Sequence, residues 1–322
     1  DLAGRSPLLF VQAGRLVLDT EAGPRWARGA LRELPGSEDD FIVSKPLVER
    51  AIPARHLDQR GRSFDLYGRD GKLCSATVGE LQVIAQYTGP TADDLFEYGY
   101  DYGDDDDDDD DDDVLEEEEP PEPSKAQILP KVWETQPHWL VADLVPNGDC
   151  DFDEVLWARD AQLPAPLLLT RSAQESIVTR EYAKVFWAST ALAENRDNYL
   201  TAYASLDDEE RTYTDDWKTM VKSFPLVLVS WLDPHGRPLF VEYQFGGGEV
   251  CSAFNAYMEG INQITQDGFV EVDSDLRPVA IFDADLDGRF EFYYDIDLGS
   301  ARVRSETLEM EASVDGDTYC PC

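Results

Sequence analysis

The run Asp283-Ala284-Asp285-Leu286-Asp287-Gly288-Arg289-Phe290-Glu291 carries the densest chemistry in the chain. Three carboxylates alternate, a glycine follows where a sharp turn is needed, and a fourth carboxylate closes the run. Hard cations such as Ca2+ take six to eight oxygen ligands at about 2.3–2.6 Å in a flexible cage. Alternating side chains of a tight turn wrap their oxygens around one point. Asp283, Asp285, Asp287 and Glu291 are therefore expected as side-chain ligands, and Arg289 through its backbone carbonyl. The competing reading is an Asp-rich hairpin without metal, because Asp and Gly are also ordinary turn residues.

The flanks decide what kind of loop this is. Val279–Phe282 and Phe290–Tyr294 read as strands, and Tyr294 stands where an EF-hand has its bidentate Glu. Over residues 279–294 the pattern resembles the calcium loops of FG-GAP and VCBS-type repeats in integrin-like propellers and bacterial surface proteins. That resemblance implies a structural Ca2+ site on an extracellular β-protein. A single copy does not carry the propeller fold with it. Asp295 and Asp297 follow closely and are either further ligands or solvated.

Other constellations are weaker. Asn147-Gly-Asp149-Cys-Asp151-Phe-Asp153-Glu154 also alternates carboxylates but lacks the glycine after the third Asp. A loop tied by a disulfide through Cys150 is the preferred reading there. The three histidines, His56, His138 and His235, form no metal-binding pair. No nucleophile elbow is present. Gly246-Gly-Gly248 lacks the Lys-Ser/Thr of a phosphate loop and is followed by Glu249, so it reads as a turn. With 67 acidic residues, carboxylate pairs of glycosidase type arise by chance.

The formal net charge is −40 over 322 residues. Residues 104–123 carry fifteen of the acidic groups and no basic one, and the remaining excess lies mostly downstream. Such a charge repels nucleic acid and anionic membrane surfaces and favours cations and basic proteins. No apolar run approaches the roughly 18 residues of a membrane span. Five cysteines, Cys74, Cys150, Cys251, Cys320 and Cys322, leave one unpaired or paired between chains. Cys320 and Cys322 are too close to pair with each other, and one of them is expected to tie the tail to the body. The start at Asp1 rather than Met is read as a processed, exported chain, placing it outside the cell, at its surface or in the periplasm.

The elements that position these groups read as mainly β with some α. Residues 1–100 are expected to form a small β-sandwich or barrel, with turns at Ala13-Gly14 and Arg69-Asp70-Gly71 and a separate strand over Leu81–Tyr87. Residues 101–126, with Asp104–Asp113 and Glu116–Glu119, read as an acidic unfolded linker or loop. Residues 127–322 read as a larger β-rich part with helices. There, His138–Val145 and Val155–Ala158 are expected strands, and a hairpin turns at Asp233–Pro238. Helices are expected over Glu209–Phe224 and over 252–265, and Ser172 and Glu175 fit a capping box although the residues after it are β-branched and ambiguous. The expected function is a secreted or surface-associated acidic binding or structural module, non-enzymatic, with a protein or glycan partner. The alternatives are a secreted hydrolase using a carboxylate pair and an acidic adaptor that docks basic partners.

Overall fold

The computed structural model describes residues 8–35, 41–87, 123–205, 217–223, 225–246, 257–274, 277–296, 300–306 and 310–314. The fold is mainly β with helices, as the sequence implied. Its first layer is an antiparallel sheet of β1 (Leu9–Gln12), β2 (Arg15–Asp19), β3 (Arg32–Leu34), β4 (Phe41–Lys45), β5 (Ser63–Gly68), β6 (Gly71–Tyr87), β7 (His138–Pro146) and β8 (Trp157–Asp160). The strand order is β3-β4-β6-β5-β8-β1-β2-β7, and β7 also pairs with β6. That extra pairing closes β6, β5, β8, β1, β2 and β7 into a six-stranded barrel, with β4 and β3 extending from β6.

Side-chain alternation sorts the barrel residues. Leu140, Ala142 and Leu144 of β7 join Leu16, Phe64, Leu66 and Val83 in one core. Trp139 and Val141 join Phe10, Tyr67 and Trp157 in another. The hairpin β1–β2 turns where expected, with Ala13 at φ 45° and Gly14 at φ 72°. The expected break before Leu81 is absent. The register shifts between Val78 and Leu81, and this irregularity lets one long strand serve β5 with its first half and β7 with its second.

Strands β7 and β8 follow the acidic tract in sequence yet complete the barrel begun before it. The tract, Asp104–Glu119, lies outside the described residues. It interrupts the sequence of this sheet and does not bound it. Beyond it, α2 (Lys125–Thr135) begins in a capping box of Ser124 and Gln127. Its Ile128 and Val132 pack on Val43, Ala85 and Tyr87. Among the described residues the one α-helix before it, α1, is a single turn at Ala54–Leu57.

Two five-stranded antiparallel sheets stack beyond the barrel. One has the order β10 (Thr170–Ser172), β11 (Val227–Leu232), β12 (Pro238–Phe245), β13 (Met258–Thr265), β14 (Gly268–Asp273). The other runs β18 (Met310–Val314), β17 (Ser300–Ser305), β16 (Glu291–Ile296), β15 (Ala280–Asp283), β9 (Leu167–Leu168). Trp231, Phe240 and Ile261 of the first meet Ile281, Phe292 and Tyr294 of the second. The opposite face of the second places Ala280, Phe282, Tyr293 and Val303 against the barrel. Helices α3 (Ile177–Trp187), α4 (Thr190–Ser205) and α5 (Trp217–Ser223) cover the free face of the first, where Tyr182, Phe186 and Tyr199 pack on Val241, Tyr243 and Phe245.

Several expectations are corrected. The described part of 252–265 is strand β13, not helix, with β12 and β14 on either side. A central strand buried on both faces loses the two-residue period, so its apolar spacing imitates a helix. Asn262 is buried there because it donates to the Tyr182 hydroxyl at 2.8 Å. The capping box lies at Ser176 and Thr179, while Ser172 belongs to β10. The Thr179 hydroxyl takes the role the sequence reading assigned to Glu175. Of the helix expected over Glu209–Phe224, Trp217–Ser223 is helical and residues 206–216 lie outside the described set.

Candidate metal centre

Asp283 is the last residue of β15, where it pairs with Leu167 of β9. The turn from Asp283 to Glu291 joins β15 to β16, and Phe282 faces Glu291 across the ladder. Two backbone positions need positive φ, Leu286 at 64° and Gly288 at 89°. Gly288 meets this without strain, whereas Leu286 is held there by the bonds around it.

Those bonds come from the carboxylates. Asp283 Oδ1 accepts the N–H of Asp287 at 3.1 Å, and its Oδ2 accepts that of Gly288 at 2.9 Å. Asp285 Oδ1 also accepts from Asp287 N at 3.2 Å, and Asp287 Oδ1 accepts from Arg289 N at 2.8 Å. Each aspartate thus bends the backbone toward itself, and one oxygen from each of the three lies within 4.8 Å of the others. Asp283 is buried at 5% exposure, while Asp285 and Asp287 are open to solvent. Among the described residues this is the only such meeting of three or more metal-ligating side chains.

Glu291 is not part of that trio. Its Oε2 accepts the Ala284 N–H at 2.7 Å. Burial first, and then the charges of Asp285, Asp283 and Asp287, push its carboxyl up to about 7 against the opposing Ala284 bond. Arg289 is exposed, and its N–H is the group tied into the turn.

Two supporting residues escaped the sequence reading. Glu306 accepts the Phe290 N–H at 3.0 Å. Arg159, from β8 of the barrel, is 3% exposed; its Nη1 donates to the Ala284 carbonyl and its Nε to Pro164 O at 3.0 Å. Asp285, Glu291 and Asp283 all attract this guanidinium, although burial dominates and lowers its pKa. A lone Arg inside the strand sequence Trp157-Ala-Arg-Asp160 was the available signal.

A pH prediction follows. An unfolded glutamate titrates near 4.5, and Glu291 in the folded chain near 7. Between those values the folded chain holds the extra proton. This group's stabilising contribution is therefore complete below 4.5 and is lost as pH rises through about 7. In cation-free buffer the melting temperature should fall from about pH 5 to about pH 7.5, and Glu291→Gln should flatten that fall. A wild-type profile that the substitution leaves unchanged would place the titration elsewhere.

The second acidic run is tied by a disulfide through Cys150, as expected. Cys150 is joined to Cys74, with Cα atoms 5.7 Å apart, and Asp151 caps a single 3-10 turn. Cys251, Cys320, Cys322, Asp297 and Gly247-Gly248 lie outside the described residues. Asp295 is exposed and not in the aspartate cluster.

A buried carboxylate of another kind lies on the face of β12 that meets the neighbouring sheet. Glu242, 2% exposed, accepts from Trp231 Nε1 at 3.0 Å and from Arg171 at 2.7 Å. Arg277 reaches it at 3.5 Å and also binds Glu259 at 2.5 Å, while the Tyr257 hydroxyl donates to Glu259. Burial raises the Glu242 pKa, although both arginines and the indole oppose that rise. Two of the three histidines are committed as well. His56 lies 3.2 Å from Asp19 and packs on Trp26, and burial lowers its pKa. His138 Nε2 sits 2.9 Å from the Trp133 carbonyl.

Comparison with family models, curated proteins and solved structures returned no match to this chain. No helix among the described residues is long and apolar enough to cross a membrane.

Proposed function

We propose that this chain is a non-catalytic, acidic binding or structural module, exported or held at a cell surface, whose β15–β16 turn is braced by one Ca2+. The observation that carries this reading is the convergence of Asp283, Asp285 and Asp287 within 4.8 Å. Like charges at that spacing repel, and a divalent cation relieves the repulsion while its oxygen shell is filled. Arg289 through its carbonyl, Glu291 and water complete the shell in this reading. The disulfide suits an oxidising compartment. The partner is a protein or glycan; the net charge of −40 argues against nucleic acid.

The hydrolase alternative draws less support. Its best buried carboxylate, Glu242, is held by two guanidiniums and an indole N–H. A general acid must be free to exchange its proton with substrate.

Sites with this few carboxylates bind at roughly 10⁻⁴–10⁻³ M in extracellular modules. Free Ca2+ at a hundredfold excess over Kd stabilises the folded chain by about 2.7 kcal/mol, which moves the melting temperature by roughly 5 °C. A calcium-titrated thermal melt after EDTA treatment checks this. Asp283→Asn should abolish the calcium-dependent rise. A wild-type melt indifferent to both EDTA and about 10 mM Ca2+ would overturn the calcium reading.

A further inference from the structure

The aspartate turn has an open side and an inner side. Asp285 and Asp287 are exposed on the first. On the second lies Arg159, a guanidinium supplied by the barrel and only 3% exposed. Side chains of β8 alternate. Ala158 and Asp160 face the barrel side, where Ala158 joins its core and Asp160 binds Arg62 at 2.6 Å. Trp157 and Arg159 face the neighbouring sheet instead. Their contacts keep step, since Trp157 stacks on Phe282 and Arg159 donates to the carbonyl of Ala284, two residues further along each segment. Ala284 separates Asp283 from Asp285. Its N–H is taken by Glu291 and its carbonyl by Arg159, so both peptide groups between those aspartates are tied down. The N–H groups of Asp287, Gly288 and Arg289 end on carboxylates of the trio, and that of Phe290 on Glu306.

Carboxylates gathered this closely repel one another, and that repulsion opposes the turn. A buried guanidinium is likewise costly without negative charge beside it. The carbonyls of Ala284 and Pro164 satisfy Arg159 donors but carry no net charge. Asp285, Glu291 and Asp283 supply negative charge and attract it. Each feature offsets the cost of the other. We propose that Arg159 is a positioning residue of the metal turn, a fixed inner counter-cation that lets the turn form before any metal ion binds. The outer, exchangeable cation rests on the calcium reading above, whereas the inner, fixed one does not. A preformed turn presents Asp283, Asp285 and Asp287 already converged, so little of the binding energy is lost to ordering. Arginine suits the inner place because its planar fork reaches two carbonyls at once, which a lysine ammonium on a flexible stem does not match.

Hydrogen exchange of the full chain, read on the peptide that spans the turn, tests this in EDTA and in calcium. In EDTA the wild-type turn should already be protected at the N–H groups its carboxylates accept. Arg159→Met should speed exchange there at least about tenfold in EDTA, and about 10 mM Ca2+ should restore the protection. Arg159→Lys keeps the charge without the fork and should fall between the two. Arg62→Met is the control, because it breaks the ion pair of Asp160, the next residue of β8, and leaves the turn's own bonds in place. A wild-type turn that is unprotected in EDTA and closes only with calcium would overturn the inner cation and leave the calcium reading standing. Equal loss of protection in the Arg159→Met and Arg62→Met variants would also overturn it, since the effect would then be one of general stability. Protection in EDTA that is lost in Arg159→Met but never responds to calcium would support the inner cation and sink the calcium reading.

Discussion

Trp157→Ala is expected to destabilise the protein by about 3–5 kcal/mol, the range for removing a fully buried large aromatic side chain. Trp157 has no exposed surface and stacks on Tyr67 at 4.3 Å and on Phe282 at 4.4 Å between ring centroids. Together with Phe10, which packs on Tyr293, it joins the barrel to the sheet that bears the aspartates. One term opposes the loss. Its Nε1 is buried without a hydrogen-bond partner among the described residues, which costs about 1–3 kcal/mol in the wild type. Removing the ring ends that cost, so the lower half of the range is favoured. Trp157→Phe should therefore stay within about 1.5 kcal/mol of wild type, because it keeps a stacked ring and discards the orphaned donor. At about 2 °C per kcal/mol for a chain of this length, the alanine variant should melt roughly 6–8 °C lower. Phe282 directly precedes Asp283, so the same variant should also weaken the calcium-dependent rise. If the melt falls while the calcium response stays intact, the turn is positioned from within its own sheet and not by the barrel.

Loss of the Cys74–Cys150 disulfide is expected to cost about 4.5 kcal/mol, from the loop-closure entropy of a link across 76 residues. The closed loop contains the whole acidic tract together with α2 and all of β7. Without the link, repulsion among ten consecutive aspartates expands the unfolded chain and favours it further. The native pairing of β6 with β7 holds the two ends together either way. The effect thus belongs mainly to the unfolded state. Denaturant unfolding of the Cys74→Ser, Cys150→Ser chain checks this, with a lower midpoint and a larger slope as the expected signature. A change under about 1 kcal/mol would mean that the reduced unfolded chain retains contacts across the loop.

Turns were the most legible part of the fold. Ala13-Gly14, Arg69-Asp70-Gly71 and Asp233–Pro238 were placed correctly because turn chemistry is local. Asp233, for example, accepts the N–H groups of His235 and Arg237 four residues or fewer away. Strand β13 was misread because burial on both faces hides the period of two, and the second face is supplied by helices from elsewhere in the chain. The aspartate turn was legible for the same local reason as the hairpins. Its carboxylates bend their own backbone within five residues. Arg159 was not, because its place under the turn comes from the packing of β8 against β15, 125 residues apart.

The sequence by itself determined the charge, the turns, the β-rich class and the spacing that brings Asp283, Asp285 and Asp287 to one point, because each depends on composition or on bonds between near neighbours. Only the tertiary structure decided that the barrel draws strands from both sides of the acidic tract. Closure needs β7 to bond with β2 and β6 at once, and such long-range ladders leave no mark in local pattern. It also decided that Glu291 turns to the Ala284 N–H and is pushed toward neutrality, since the burial responsible comes from the layers packed around it.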